Sequence, residues 1–114
     1  MVPGLNRSEL CYDTKHISKH LPGTPESAKL IAKEGAAHVF IDEATLRRVE
    51  EDIYTRGDFT GSVRGADRYG LHYEEPIGYR INAAGDAIPL NYGEMKVDSA
   101  SGKYHVILRT GASK

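Results

Sequence analysis

A chain of 114 residues, 39% hydrophobic and 27% charged, has the size and composition of one soluble globular domain, which excludes wholesale disorder. Its 15 Lys and Arg against 16 Asp and Glu leave a formal net charge of −1, which excludes a globally cationic nucleic-acid binder but leaves room for a local basic cleft. A single cysteine, Cys11, rules out an internal disulfide framework or a cysteine-based zinc site. No apolar run is long enough to cross a membrane, and no charged-then-apolar leader opens the sequence, so no signal peptide is expected.

One domain over residues 1–114 is expected, in three stretches. Residues 1–23 are polar, irregular or briefly helical, and close on Pro22-Gly23. Residues 24–57 carry two helices. Thr24 caps the first, Pro25 suits its first position, Ala28, Ile31 and Ala32 form a narrow apolar face, and Gly35 stops it. The apolar run from Ala36 to Ile41 follows, with His38 read as half-buried and satisfied. Asp42 then caps a second helix in which Leu46, Val49 and Ile53 recur at helical spacing and Gly57 ends the pattern. Its run of arginines and acids reads as a solvated face.

Residues 58–114 have the texture of strands. Tyr69–Tyr73, Ile77–Ile81, Ala87–Leu90, Tyr92–Val97 and Lys103–Arg109 are short and rich in aromatic or β-branched residues, with Ala84-Gly85-Asp86 as a hairpin turn. Pro89 assigns its strand to an edge or a bulge. Arg64 and Arg68 flank Gly65 in an expected loop, as point contacts for phosphate. The order of elements gives an α+β fold, its N-terminal helices packed on one face of a four- to five-stranded antiparallel sheet.

No phosphate loop, dinucleotide fingerprint, His-Glu-x-x-His or Gly-x-Ser-x-Gly motif occurs, so chemistry without cofactor or metal is the expectation. The sharpest local feature is Lys15-His16-Ile17-Ser18-Lys19-His20, two histidines four apart, each preceded by a lysine, with no acid among them. Crowding two imidazoles with two ammonium groups favours the neutral ring. A neutral imidazole beside cations is what a phosphodiester-cleaving base requires, because it takes a proton while its neighbours hold the phosphate. A solvated basic turn and a His-x-x-x-His zinc site are the other readings, the latter without an obvious third ligand.

A second cluster lies on the strands: Tyr79-Arg80, Glu94-Met-Lys96 and Tyr104-His105 through Arg109-Thr110. Alternation sends His105, Ile107 and Arg109 to one side of the last strand, and Tyr104, Val106, Leu108 and Thr110 to the other. Each residue alone reads most simply as core, rim or solvated charge; together, on successive strands, they point to a site. His72 serves equally as a sheet-surface residue or a site member.

The Lys-His-Ile-x-Lys-His segment, two helices and a closing Tyr-His-Val-Ile-x-Arg-Thr strand resemble the C-terminal toxin domains of bacterial polymorphic and contact-dependent growth-inhibition systems. Asp67-Arg-Tyr-Gly-Leu, Pro76-Ile-Gly-Tyr-Arg80 and Tyr92-Gly-Glu-Met-Lys96 extend the resemblance over most of the chain. Many such toxins share the grouping named for barnase, EndoU, colicin and RelE nucleases, which are metal-independent ribonucleases often acting on transfer RNA. The resemblance implies delivery as the C-terminal part of a larger secreted or cell-surface protein, action in the target-cell cytoplasm, and a cognate immunity protein as partner. It implies His16, His20, Arg80, His105, Arg109 and Thr110 as catalytic candidates. Lys15, Lys19, Arg64, Arg68, Lys96, Tyr79 and Tyr104 are the RNA-binding candidates. The near-neutral charge departs from the strongly basic nucleases of the grouping and fits a selective substrate. A non-enzymatic interaction module, or a toxin of other chemistry such as an ADP-ribosyltransferase, is the alternative.

Overall fold

Both helices begin and end where their capping residues dictate. In a computed structural model, which describes residues 11–12 and 17–110, α1 (Pro25–Glu34) starts at Thr24, whose hydroxyl accepts the Ser27 amide at 3.1 Å. It stops at Gly35, which takes the left-handed φ of 86° that a side chain would resist. Helix α2 (Glu43–Arg56) starts at Asp42, whose carboxylate accepts the Thr45 amide at 2.7 Å. Gly57 closes α2 for a different reason: its φ is ordinary, but a Cβ there would come within 2.7 Å of Ile53 Cγ2.

The strands are β1 (Cys11–Tyr12), β2 (Ala36–Phe40), β3 (Asp58–Val63), β4 (Ala66–His72), β5 (Gly78–Asn82), β6 (Ala87–Leu90), β7 (Tyr92–Asp98) and β8 (Lys103–Arg109), with a short 3-10 helix at Ser18–His20. The fold is α+β, and its strands divide into two sheets. The larger runs β1-β8-β7-β4-β3 and is antiparallel apart from the two-residue β1–β8 pairing; the smaller runs β2-β5-β6 and is antiparallel throughout. Pro89 lies on β6, an edge strand of the smaller sheet, where a missing N–H removes no ladder bond to a further strand.

Two segments differ from the sequence expectation. The stretch 24–57 contains β2 between its helices, because Gly35 stops α1 and Asp42 starts α2, leaving a run too short to be a helix that instead pairs with β5. The glycine-bearing stretch before Ala66 is not a loop but a hairpin strand. Arg64 and Gly65 both have positive φ, 54° and 79°, and turn β3 back onto β4 in the two-residue connection that matches strand twist. Arg68 is therefore a buried residue of β4, 8% exposed, rather than a loop residue. Arg64 keeps its expected place in a turn.

The core lies between α2 and one face of the larger sheet. Leu46, Val49 and Ile53 join Tyr69, Met95, Val97, Val106 and Leu108, with Phe40, Ile77 and Leu90 reaching in from the smaller sheet and its connections. Gly93 lets α2 lie close: a Cβ there would stand 2.6 Å from Val49 Cγ1. Each such buried aliphatic contributes roughly 1.5–3 kcal/mol by leaving water. Helix α1 packs instead on β2 and the 3-10 helix. With α2 on one face of the larger sheet, the opposite face carries mostly polar residues around the buried Ile107.

Candidate functional site

The pairing register builds that polar face row by row. Arg68 on β4 stands opposite Lys96 on β7, which stands opposite His105 on β8; the next rows are Gly70–Glu94–Ile107 and His72–Tyr92–Arg109. Residues two apart on a strand share a face, so Arg68, His72, Tyr92, Glu94, Lys96, His105 and Arg109 converge on one side. The residues between them are the core set facing α2.

Glu94 organises the face. Its side chain is fully buried, with Oε1 3.3 Å from Arg68 Nη1 and Oε2 3.3 Å from Arg109 Nε. A carboxylate removed from water costs several kcal/mol unless paired, and the two guanidinium groups supply the pairing from the strands on either side. The geometry fixes both arginines in turn. Lys96 is held below the ordinary lysine range, first by burial and next by the Arg68 charge, with Glu94 opposing. Cross-strand cations such as Arg68 and Lys96 repel, and the Glu94 carboxylate beside them offsets part of that cost. Tyr92 is pushed the other way, above the ordinary phenol range, first by burial and then by the Glu94 charge, and it stays a neutral hydroxyl at physiological pH. Its hydroxyl end lies over Gly70, where a Cβ would fall 1.6 Å from Tyr92 Oη, so only a glycine leaves room for it.

At the Arg109 end the face meets a small cavity of about 220 Å³ lined by His20, Leu30, Glu34, His38, Ile107 and Arg109, among others. Two imidazole–backbone bonds anchor it. His20 Nδ1 is 2.9 Å from the His38 carbonyl, and His38 Nδ1 is 2.8 Å from the Leu108 carbonyl. A carbonyl only accepts, so each Nδ1 carries the hydrogen, and the neutral ring holds its lone pair at Nε2. Nδ1–H donation to a backbone carbonyl is how proteins orient an imidazole for proton transfer or ligation. Among the described residues, no three His, Cys, Asp or Glu side chains converge as metal ligands do. No helix among them is long and apolar enough to cross a membrane.

The model of a domain of unknown function, DUF6972, matches residues 8–113, nearly the whole chain. The chain belongs to the DUF6972 family. No curated protein and no solved structure matches it. The match spans both parts of the site, the charged face of β4, β7 and β8 and the cavity at His20, so the site belongs to the DUF6972 domain itself.

Of the residues singled out in the sequence, the DUF6972 fold brings Arg68, Lys96, His105 and Arg109 onto one face, and His20 beside Arg109. It does not bring the others there. Tyr79 and Arg80 lie on β5 of the smaller sheet, with Arg80 opposite His38. Tyr104 faces the other way, its hydroxyl donating to Glu50 of α2 and its ring edge-on to Tyr12. Thr110 is exposed just past the end of β8, Arg64 sits in the β3–β4 turn, and Lys19 lies in the 3-10 helix. His16 and Lys15 lie outside the described residues. Sequence reasoning named Glu94 in the strand cluster without a role and gave Tyr92 none, while its reading of His38 as half-buried and satisfied agrees with the bond to the Leu108 carbonyl. Glu94 had one signal: an acid at a mid-strand position of the core-forming β7, where a lone carboxylate needs cationic neighbours.

Proposed function

We propose that this chain is a ribonuclease that cleaves by attack of the substrate's own 2′-hydroxyl. The observation that carries the reading is the basic row Arg68–Lys96–His105, connected through Glu94 and Arg109 to the cavity holding His20. Positive groups fixed by a buried carboxylate are pre-organised for a phosphodiester, whose charge grows in the transition state. His20 Nε2 takes the 2′-hydroxyl proton as the 2′-oxygen bonds to phosphorus. Arg68, Lys96 and Arg109 hold the phosphoryl oxygens, and His105 gives its proton to the departing 5′-oxygen. The products are a 2′,3′-cyclic phosphate and a free 5′-hydroxyl. The 2′-hydroxyl is both nucleophile and the group that separates RNA from DNA. The resemblance to growth-inhibition toxins adds transfer RNA as the target, toxicity inside a bacterium as the outcome and an immunity protein as the antidote.

The test is incubation of the chain with total RNA, purified transfer RNA and DNA in EDTA, with product ends mapped. Cleavage of RNA alone, leaving cyclic phosphate ends, is expected. His20→Ala and Arg109→Ala each lower the rate by about 100-fold or more, the usual size of a lost proton-transfer or charge-stabilising group. DNA cutting, dependence on added divalent metal, or full activity of both variants overturns the mechanism. His16→Ala, run alongside, shows whether the neighbouring histidine shares the proton transfer.

A further inference from the structure

The third row of the charged face carries chemistry that phosphate binding does not use. His72, Tyr92 and Arg109 stand opposite one another on β4, β7 and β8. Tyr92 lies with its hydroxyl end over Gly70 and is 8% exposed, whereas His72 is exposed, its ring 6.4 Å from the Tyr92 ring and tilted 46° to it. An exposed ring braced by a second, immobilised ring is a platform rather than a core contact. Its distance from the phosphate-holding end of the row is about 10 Å, two strand spacings, part of which the Arg109 side chain spans. That separation is within the reach of one nucleotide. Beside His72 opens a cleft between α2 and the loop after β4, lined also by Arg48, Asp52, Arg56, Glu74 and Glu75, in which Asp52 accepts from the Tyr73 hydroxyl and pairs with Arg56.

We infer that His72, backed by Tyr92, is a stacking subsite for one nucleobase of a single-stranded RNA whose adjacent phosphate sits on Arg109. The inference rests on the ribonuclease reading for its ligand. Stacking on an aromatic face accepts any base, because every base has a π-face.

The experiment uses the full chain and a 2′-O-methyl oligoribonucleotide, which lacks the attacking hydroxyl, carrying 2-aminopurine at one position. Stacking quenches that fluorophore, and anisotropy of an end label reports binding separately. The wild-type chain quenches it on binding. His72→Ala binds about 5- to 10-fold more weakly, the lower part of the range for one lost base–aromatic stack, and loses the quenching. His72→Phe keeps both, since the ring and not the imidazole is required. Because His72 is exposed, neither variant disturbs the core. Equal quenching by His72→Ala, binding without quenching by the wild type, or no binding overturns the subsite. Cleavage of ordinary RNA is scored in parallel: cleavage without quenching removes the subsite and leaves the nuclease, whereas quenching without cleavage does the reverse.

Discussion

At the scale of single residues, Glu94 matters most, because the positions of Arg68 and Arg109 both depend on it. Replacing the carboxylate by an amide leaves two guanidinium groups beside a buried group that no longer offsets their charge. Breaking a buried ion pair from one side destabilises by roughly 3–5 kcal/mol. Arg109 is 41% exposed at its side chain and recovers part of that in water, so the expected loss for Glu94→Gln is about 3 kcal/mol. Urea unfolding should show a lower midpoint with an unchanged slope. A loss below about 0.5 kcal/mol, the size of an ordinary surface change, would mean the carboxylate is not the anchor. Sequence alone ranked Lys96, two positions along, above Glu94. A cation near a suspected phosphate site announces itself, while an acid there reads as a defect until its partners on β4 and β8 are known.

At the scale of elements, the helix starts were plain in the sequence and carry a pH signature. The hydroxyl and amide of Thr45 hold the Asp42 carboxyl below its usual range, and the amides of Ser101 and Ala100 do the same for Asp98 in the β7–β8 turn. A folded value below the unfolded one gives stability that is present at neutral pH. It is lost as pH falls below about 4 and through the lowered folded values. Thermal melts should therefore drop in the acid range, and Asp42→Asn, which still caps but does not titrate, should flatten part of that drop. An unchanged profile in the variant would remove Asp42 from the account. Strands β4 to β8 were likewise legible from alternation, as was the facing of His105 and Arg109 away from Tyr104. Strand β3 was not. Its glycines mark a bulge and a positive φ at Gly61, and its turn uses Arg64 where Asn or Asp is the usual signal.

At the scale of the whole molecule, net charge conceals a local excess. Among the described residues, Arg68, Lys96 and Arg109 share this face with Glu94 and, on β3, with Asp58, while α2 carries its acids on the far side of the sheet. The lowered Lys96 value ties this face to pH. An anion seated beside Lys96 favours its charged form, so binding takes up a proton once pH has passed the lowered value. Affinity for a 2′-O-methyl oligoribonucleotide should then fall as pH rises through the lowered Lys96 value towards about 10, the ordinary lysine range. Lys96→Arg, always charged, should hold its affinity over that interval. In a salt titration Lys96→Met should make the slope of log affinity against log salt shallower by about 0.7, one counterion's worth on a single strand. A parallel pH dependence in wild type and Lys96→Arg would place the anion elsewhere.

Caps, turns and alternation act over a few residues, so the α+β class, the capped ends of both helices, most strands and the facing of residues on β8 can be read locally. Only the tertiary structure decided which strands are neighbours. That choice moved Tyr79 and Arg80 onto the smaller sheet, buried Arg68 against Glu94, and set His20 beside Arg109 across the length of the chain. Such pairings follow from burying one face of each sheet and leaving no strand unpaired. Those demands are met by the chain as a whole, so no local pattern records them.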